Sequence, residues 1–399
     1  MRLTTVIMTR FARADDCVTA DTEDAKATPG PSIWVLHSTG LGANRQLTTL
    51  ASAIGGHPIV KDTLDRPWRA FCDRLLGSRS KIPTAKRAYL HAPWPDLVLF
   101  GGGRSWLDAV RIRAASGGVS RIVCVGRPGA PLDSVDLTLT TPQYGLPDHP
   151  RVLHLDLPLN FHDQARLDAA SPDWSARFEM LPRPWIGVML GGDSGSYRLN
   201  AEAARALGRS LATRCRHLGG AALVTTSPRT RDDVLNAVLI ELGDVPNFHY
   251  RFVAGDRDNP LDGILALADA FVVTADSASM LAEACFTGRH VAVFEPPLRW
   301  RARLLARSWL PSSVPGLQRA WSEWRMRQTA YGRWVPARRM ERIHRNLAER
   351  GVIARVEDLD PSATSAQAGR DDLARAVTAI RALLPPSDQQ TDGYTARVG

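Results

Sequence analysis

The residues of this 399-residue chain that could do chemistry follow apolar runs typical of strands. In the most informative place such a run ends at Thr274, hydroxyl side chains follow at Ser277 and Ser279, and Glu283 comes about two helical turns later. Serine hydroxyls and the free N–H groups of a helix N-terminus can hold a diphosphate. A carboxylate farther along the helix can accept two hydrogen bonds from a ribose. The alternative is a capped helix with a solvent-facing glutamate.

A glycine loop at residues 191–195 forms a second pattern of this kind. It follows the apolar run 185–190 and precedes Asn200, a good N-cap for an alanine-rich helix. Backbone N–H groups, a hydroxyl and a helix N-terminus together suit a phosphate. Gly-Asp-Ser-Gly also occurs in trypsin-like proteases, but those proteins are all-β. A nucleophile elbow is excluded because Ser196 stands where that motif needs glycine.

Two loops nearer the N-terminus, at residues 37–46 and 101–104, contain glycines that permit a close backbone approach. The first is not a dinucleotide fingerprint, since Arg45 occupies the third glycine position; an ordinary strand-to-helix turn is an equal alternative. The run 223–230 ends with hydroxyls and Arg229, and Ser227 before Pro228 is also a good helix N-cap.

The rarity of lysine excludes several chemistries. Only four lysines occur, and none follows a glycine, which excludes a Walker A loop. No tyrosine stands four residues before any of them, so the Tyr/Lys pair of sugar epimerases is absent. The five cysteines form no Cys-x-x-Cys, and no His-x-x-x-His occurs. We therefore expect no metal site, no cofactor and a reducing cytoplasm.

Short apolar runs alternate with helix-like segments along most of the chain, which predicts parallel sheets. The predicted strands are residues 32–37, 57–60, 95–100, 121–126, 136–140 and 151–155, then 185–190, 221–226, 249–253, 270–274 and 290–294. The fold class is therefore α/β, with two tandem Rossmann-like doubly wound domains facing a cleft. Ligands bind at the carboxyl ends of such strands.

Composition divides the chain into six segments. They are a tail (1–31), a first Rossmann-like domain (32–165), a linker (166–184), a second Rossmann-like domain (185–298), an Arg/Trp-rich helical segment (299–360), and a short helix with a disordered tail (361–399). Leu373, Val377, Ile380 and Leu384 mark the face of that last helix. No run of apolar residues is long enough for a transmembrane helix.

The motifs at residues 37–46, 95–105 and 223–230, and above all 259–260, 274–280 and 283–285, resemble the ELM-type family. Its bacterial members are similar to the plant elongated-mitochondria fission protein, and the resemblance covers roughly residues 32–350. It implies a GT-B-like fold and a metal-independent glycosyltransferase that moves a sugar from a nucleotide-activated donor to an envelope-type acceptor. A non-enzymatic, membrane-peripheral adaptor is the alternative.

On this interpretation the second domain binds the nucleotide-sugar donor and the first binds the acceptor. The donor residues are Gly191, Gly192, Ser194, Thr226, Ser227, Arg229, Asn259, Asp276, Ser277, Ser279, Met280 and Glu283. The acceptor-side residues are Gly40, Gly42, Asn44, Gln46, Gly102, Gly103 and Arg104. The candidate general base is His37. Helix dipoles and arginines would stabilise the leaving diphosphate.

The positive charge of the chain is concentrated in one segment. Residues 299–350 hold 13 arginines, three glutamates and five of the 11 tryptophans, so this segment carries a net charge of +10 and the rest of the chain −1. From Arg299 to Arg350 this segment could rest on anionic lipid headgroups, return to the first domain, or simply be solvated. Nucleic-acid binding ranks last, because no nucleic-acid module accompanies the arginines. The expected location is cytoplasmic, peripheral on the inner membrane.

Overall fold

The computed structural model describes residues 30–38, 41–55, 58–62, 91–103, 105–160, 164–193, 196–299, 315–364 and 369–385. Within these ranges two six-stranded sheets form, and the pairing between neighbouring strands is parallel throughout. The predicted fold class, α/β with two tandem Rossmann-like domains of parallel strands, is confirmed.

The first sheet has the strand order β2-β1-β3-β4-β5-β6. Its strands are β1 (Ile33–His37), β2 (Pro58–Asp62), β3 (Leu97–Gly103), β4 (Arg121–Pro128), β5 (Leu137–Thr140) and β6 (Val152–His154). Its helices are α1 (Leu41–Ile54) and α2 (Ser105–Ala115). The order reverses between β1 and β3, and doubly wound sheets bind ligands beyond the strand ends at such a switch point.

The second sheet has the order β12-β11-β10-β7-β8-β9, which is the Rossmann order 3-2-1-4-5-6 read from its other edge. Its strands are β7 (Trp185–Leu190), β8 (Ala221–Thr226), β9 (Asn247–Tyr250), β10 (Ala270–Thr274), β11 (His290–Phe294) and β12 (Ile353–Ala354). Its helices are α3 (Gln164–Phe178), α4 (Ala201–Leu218), α5 (Asp232–Leu242), α6 (Leu261–Leu267) and α7 (Ala278–Phe286). The switch point lies between β7 and β10.

Buried β-branched and aliphatic side chains form the core on both faces of each sheet, as expected for parallel strands covered by helices. In the second domain β7, β8 and β10 are buried along their whole length. Two caps anticipated from the sequence are present: Asn200 accepts from the Ala203 N–H at 3.0 Å, and Ser277 accepts from the Met280 N–H at 3.4 Å.

The C-terminal part of the chain contacts both domains. Its helices are α8 (Pro315–Ala330), α9 (Glu341–Glu349) and α10 (Arg370–Arg381). Ile343 and Leu347 of α9 pack into the core of the second domain. Ala376 and Ile380 of α10 pack against α1 and the first sheet. The last described helix therefore covers the first domain.

Several elements differ in extent from those predicted. The predicted linker contains most of α3, whose Trp174 and Phe178 belong to the core of the second domain. Strand β9 begins two residues earlier than predicted because Asn247 and Phe248 pair with β8. The cap suggested for Ser227 is wrong, since α5 begins after Arg231, whose side chain makes no capping bond. Residues 1–29 and 386–399, predicted as mobile ends, lie outside the described residues.

Replacing Ile380 by alanine tests the docking of α10. The side chain is fully buried, so Ile380→Ala should lower the free energy of unfolding by about 2–4 kcal/mol, through lost burial and a cavity. Ile240→Ala on α5 is the matched control; its side chain is 71% exposed, and we expect a change within about 0.5 kcal/mol. Urea unfolding measures both. Equal values for the two variants would show that α10 does not pack on the first domain.

Candidate functional site

The glycine loop after β7 and the loop after β10 meet at the switch point of the second sheet. The N–H of Gly191 donates to Thr274 Oγ1 at 2.8 Å, and the N–H of Gly192 donates to Asp276 Oδ2 at 2.9 Å. A Cβ on Gly191 would lie 2.3 Å from the Asp276 carboxylate oxygens. The two loops therefore approach so closely that only glycine fits at position 191.

The carboxylate of Asp276 is buried beneath this loop. Burial raises the pKa of the Asp276 carboxyl group. The hydrogen bond from the Gly192 N–H and the positive charge of Arg229 act in the opposite direction and lower it. The Arg229 guanidinium lies 3.4 Å from Asp276 Oδ2 and is half exposed. Asp276 thus holds the glycine loop in place, and Arg229 brings a positive charge to the edge of the switch point.

Helix α7 points its N-terminus toward the first domain. Ala278 and Ser279, in its first turn, line a cavity whose other walls come mostly from the first domain. The first N–H groups of a helix have no intrahelical acceptor and carry the positive end of the helix dipole. A Cβ on Gly42 of α1 would lie 3.0 Å from Ser279 Oγ, so the two helices nearly touch.

An ion pair joins the same two helices one turn farther along. Arg45 Nη1 of α1 lies 3.0 Å from Glu283 Oε1 of α7. The Glu283 residue is only 4% exposed, whereas the Arg45 side chain is 48% exposed. A buried carboxylate is stable only when it is paired, so this contact fixes the two domains against each other.

The cavity between the domains has a volume of about 220 Å³. It lies at the switch point of the first sheet, beyond the carboxyl ends of β1 and β3. The lining residues are Ser38, Ala43, Gln46, Gly101, Gly102, Gly103, Val125, Gly126, Arg127, Leu139, Thr141, Gln143, Tyr144, Leu155, Pro158, Leu159, Ala278, Ser279 and Arg338. Of the second switch point, the start of α7 after β10 reaches this space, whereas the Gly191–Gly192 loop does not line it.

Four of the predicted site residues line this cavity. They are Gln46, Gly102, Gly103 and Ser279. Gly102 also has a packing reason to be glycine, because a Cβ there would lie 2.2 Å from the Arg127 carbonyl oxygen. Three other predicted residues lie outside the described part of the chain: Gly40, Arg104 and Ser194.

Other predicted residues hold the loops around the cavity rather than lining it. Asn44 exchanges hydrogen bonds with the backbone of Ser38 at 2.7 and 2.9 Å, which fixes the turn after β1. Thr226 Oγ1 accepts from the Phe252 N–H at 2.8 Å, and Asn259 Oδ1 accepts from the Leu261 N–H at 3.0 Å. The N–H of Met280 donates to Ser277 Oγ, and its side chain packs against the core of the second domain.

Ser227 and His37 also make contacts within their own domains. Ser227 Oγ lies 3.0 Å from Thr230 Oγ1, and His37 Nε2 lies 3.4 Å from Thr48 Oγ1. Neither residue lines the cavity. His37 directly precedes Ser38, which does.

The sequence analysis missed the polar residues on the far wall of the cavity. Arg127 directly follows the predicted strand 121–126, so the rule that found the other loops could have found it. Gln143 and Tyr144 lie in a 3₁₀ turn after β5. Arg338 is one of many arginines in its segment, and nothing in the sequence distinguishes it.

No group of three or more histidine, cysteine or acidic side chains is arranged to hold a metal ion in the described ranges. None of the helices described has the length and apolar content needed to cross a bilayer.

Comparison with known proteins gives one family. The family model described as mitochondrial fission ELM1 matches residues 41–309. The mitochondrial fission protein ELM1 of Arabidopsis thaliana is 33% identical over 201 residues, which is 47% of this chain and 44% of the Arabidopsis protein. The match thus spans less than half the length of that relative.

Among solved structures, the chain is similar to MurG of Acinetobacter baumannii, with 13% identity and a TM-score of 0.40 over 89% of this chain and 92% of that chain. It is also similar to UDP-N-acetylglucosamine 2-epimerase of Rickettsia bellii, with 12% identity and a TM-score of 0.46 over 89% and 96%. A UDP-glucosyltransferase of Polygonum tinctorium is 12% identical, with a TM-score of 0.42 over 89% of this chain and 98% of that chain. At these values the similarities carry no argument about activity.

The close approach of Gly191 to the Asp276 carboxylate can be tested by measuring stability. Gly191→Ala places a methyl group against the Asp276 carboxylate and should lower the free energy of unfolding by about 1–3 kcal/mol. Gly316→Ala in α8 is the matched control, because no described residue outside its own helix has an atom within 4 Å of the added Cβ, and alanine favours a helix. Urea unfolding compares them. A loss of stability no larger for Gly191→Ala than for Gly316→Ala would contradict the packing described.

Proposed function

The chain belongs to the mitochondrial fission ELM1 family, whose model matches two thirds of its length, and we propose that it is a GT-B-type glycosyltransferase. In this proposal a sugar passes from a nucleotide-activated donor to an envelope-type acceptor without a metal ion. The observation that carries the proposal is that the switch point of the first sheet and the N-terminus of α7, which follows the switch-point strand β10 of the second sheet, meet at a single cavity. Ligands bind at such points in doubly wound sheets.

The donor half of the proposed site is the N-terminus of α7. Ser279 and the free N–H groups of the first turn would hold the diphosphate, and the Gly191–Gly192 loop lies beside them. The helix dipole and the exposed guanidinium of Arg229 would stabilise the negative charge that develops on the leaving diphosphate. Preorganised positive groups of this kind can replace a metal ion in stabilising a leaving group.

Glu283 is the proposed ribose ligand. Its carboxylate already contacts Arg45, whose side chain is half exposed and free to move away. A ribose that donates two hydroxyl protons to the carboxylate would then replace the guanidinium. Donor binding and the contact between α1 and α7 are coupled in this proposal.

The acceptor half is the wall formed by the first domain. An acceptor hydroxyl would attack the anomeric carbon of the sugar while the bond from that carbon to the diphosphate oxygen breaks. The electron pair of that bond stays on the diphosphate. His37, next to the cavity-lining Ser38, is the proposed base that takes the hydroxyl proton.

Calorimetric titration with UDP and GDP tests the donor site. We expect one of them to bind, Ser279→Ala to weaken binding by about 0.5–1.5 kcal/mol through a lost hydrogen bond, and Glu283→Ala to weaken it by about 1–3 kcal/mol. Glu179→Ala, at an exposed position outside the cleft, should change nothing.

A second variant separates the ribose role of Glu283 from its role in the ion pair. Arg45→Met removes the ion pair but keeps the Glu283 carboxylate, so it should weaken nucleotide binding less than Glu283→Ala does. A folded wild-type chain that binds neither nucleotide would overturn the proposed function. Equal losses in Arg45→Met and Glu283→Ala would overturn the role given to Glu283.

A second candidate function, a membrane-peripheral adaptor without catalysis, is favoured by exposed aromatic rings. Trp321 and Trp324 of α8 stack at 4.9 Å, and the ring of Trp334 lies 6.4 Å from Trp324. The three residues are 42%, 44% and 42% exposed, in the segment that carries the charge surplus. Tryptophans among arginines suit an anionic headgroup layer. We propose a peripheral position on the cytoplasmic face of the inner membrane, which is compatible with either function.

Vesicle sedimentation tests the membrane contact. The full chain should bind phosphatidylglycerol vesicles, release them as salt is raised and bind phosphatidylcholine vesicles weakly, because the attraction is electrostatic. The double variant Trp321→Ser/Trp324→Ser should lose most of the binding, about tenfold in affinity. Met180→Ser, at an 89% exposed residue outside the segment, is the control. Equal binding to both kinds of vesicle, or no effect of the tryptophans, would argue against this contact.

A further inference from the structure

The charged residues described in the cavity lining are all positive. Of its 19 lining residues two are charged, and both are arginines, Arg127 and Arg338. Among the residues that the structure describes, no acidic side chain lines the cavity. In the described part of the chain, neither guanidinium forms an ion pair with a carboxylate. A small cavity with two cations and no counter-charge favours an anionic occupant.

The two guanidiniums lie near the same aromatic ring. Arg127 Cζ is 6.0 Å and Arg338 Cζ is 5.8 Å from the centre of the Tyr144 ring. The ring itself packs against the backbone of Gly126, where a Cβ would lie 3.3 Å from it. Arg127 also donates to the Pro336 carbonyl oxygen, which holds the Arg338 segment beside β4. The positions of both cations are therefore fixed by contacts within the fold.

The two cations repel each other in the absence of an anion. Burial lowers the pKa of the Arg127 guanidinium, and the positive charge of Arg338 acts in the same direction. Behind them, burial lowers the pKa of Arg342, and the charges of Arg339, Arg325 and Arg345 lower it further. An arginine remains protonated despite such shifts, so the local field stays positive and an anion would relieve the repulsion.

A neutral acceptor also lines the cavity. Gln143 is 2% exposed, and its side-chain Oε1 has no hydrogen-bond partner among the described residues. A buried amide oxygen without a donor costs about 1–3 kcal/mol. The Gln143 backbone carbonyl accepts from the Arg339 N–H at 2.8 Å, so the turn is held in place. A ligand hydroxyl would supply the missing donor.

We infer that this wall of the cavity is an oxyanion site, in which Arg127 and Arg338 bind a phosphate or carboxylate and Gln143 accepts a hydrogen bond from a neighbouring hydroxyl. As an oxyanion site it does not depend on nucleotide binding. Its assignment to the acceptor rests on the proposed function, and it then predicts an acceptor that carries a negative group close to a hydroxyl.

Calorimetric titration of the full chain with four small probes tests the inference. Inorganic phosphate and glucose 6-phosphate present a phosphate, glucuronate presents a carboxylate, and glucose is the neutral control. We expect glucose 6-phosphate, glucuronate or both to bind and glucose not to bind. The stronger of the two ligands identifies the anion. Binding of glucose as tight as that of the anions would overturn the inference.

Variants then assign the binding to the two arginines. Arg127→Met and Arg338→Met should each weaken binding of the anionic probe about tenfold or more, as for a charge-assisted hydrogen bond. Arg338→Lys, which keeps a cation, should lose less. Arg333→Met is the matched control, since Arg333 lies 5.7 Å from the Tyr331 ring but does not line the cavity. Unchanged affinity in folded Arg127→Met and Arg338→Met would overturn the inference.

The Gln143 contribution has its own measurement. The wild-type chain should bind glucose 6-phosphate more tightly than inorganic phosphate, because a sugar hydroxyl donates to Gln143. In Gln143→Met this advantage should disappear, because the hydroxyl loses its acceptor. Retention of that advantage would overturn the role given to Gln143.

Titration of the same variants with UDP or GDP separates this inference from the proposed function. Arg338→Met should retain nucleotide binding while losing the anionic probe. If the wild-type chain binds the anion through these arginines but binds no nucleotide, the proposed function fails and the oxyanion site stands. If Arg338→Met loses affinity for the nucleotide and for the anionic probe equally, the arginines hold the donor diphosphate. The inference of a separate oxyanion site is then overturned.

Discussion

The ion pair between Arg45 and the buried carboxylate of Glu283 is the contact on which the arrangement of the two domains depends. It joins α1, which follows the first strand of one sheet, to α7, which follows the switch-point strand of the other. Burying an unpaired carboxylate would be costly, so α7 is held where its N-terminus faces the first domain. The cavity exists because these two helices are held nearly in contact.

The surrounding structure supports this contact from both sides. Asp276 beneath the Gly191–Gly192 loop fixes the start of α7 relative to β7. The C-terminal part of the chain crosses between the domains: α9 packs in the second core and α10 in the first. On the way it brings Arg338 to the cavity wall. A single cleft thus combines a helix N-terminus from one domain with guanidinium groups held by the other.

The alternation of apolar runs predicted eleven of the twelve described strands, because buried parallel strands have a local signature that survives without tertiary information. Strand β12 was not predicted, since its two residues form no apolar run. The helix caps at Asn200 and Ser277 were also predictable, because an N-cap depends only on residues that are close in sequence. Helix α3 was missed because Pro172 lies inside it and its buried Leu167, Trp174 and Phe178 are widely spaced among polar residues. Local patterns reveal an element only where its buried face is regular.

The site was only partly predictable, because its essential contacts join distant parts of the chain. Glu283 was predicted to be solvent-facing or to bind ribose, yet its partner Arg45 lies 238 residues away. Arg127 and Arg338 meet at Tyr144, and no spacing rule connects them. Hydrogen–deuterium exchange of the full chain with and without a saturating nucleoside diphosphate tests the central claim most directly. The account predicts slower exchange at residues 188–193 and 276–283 and unchanged exchange in α10; protection confined to other segments would contradict it.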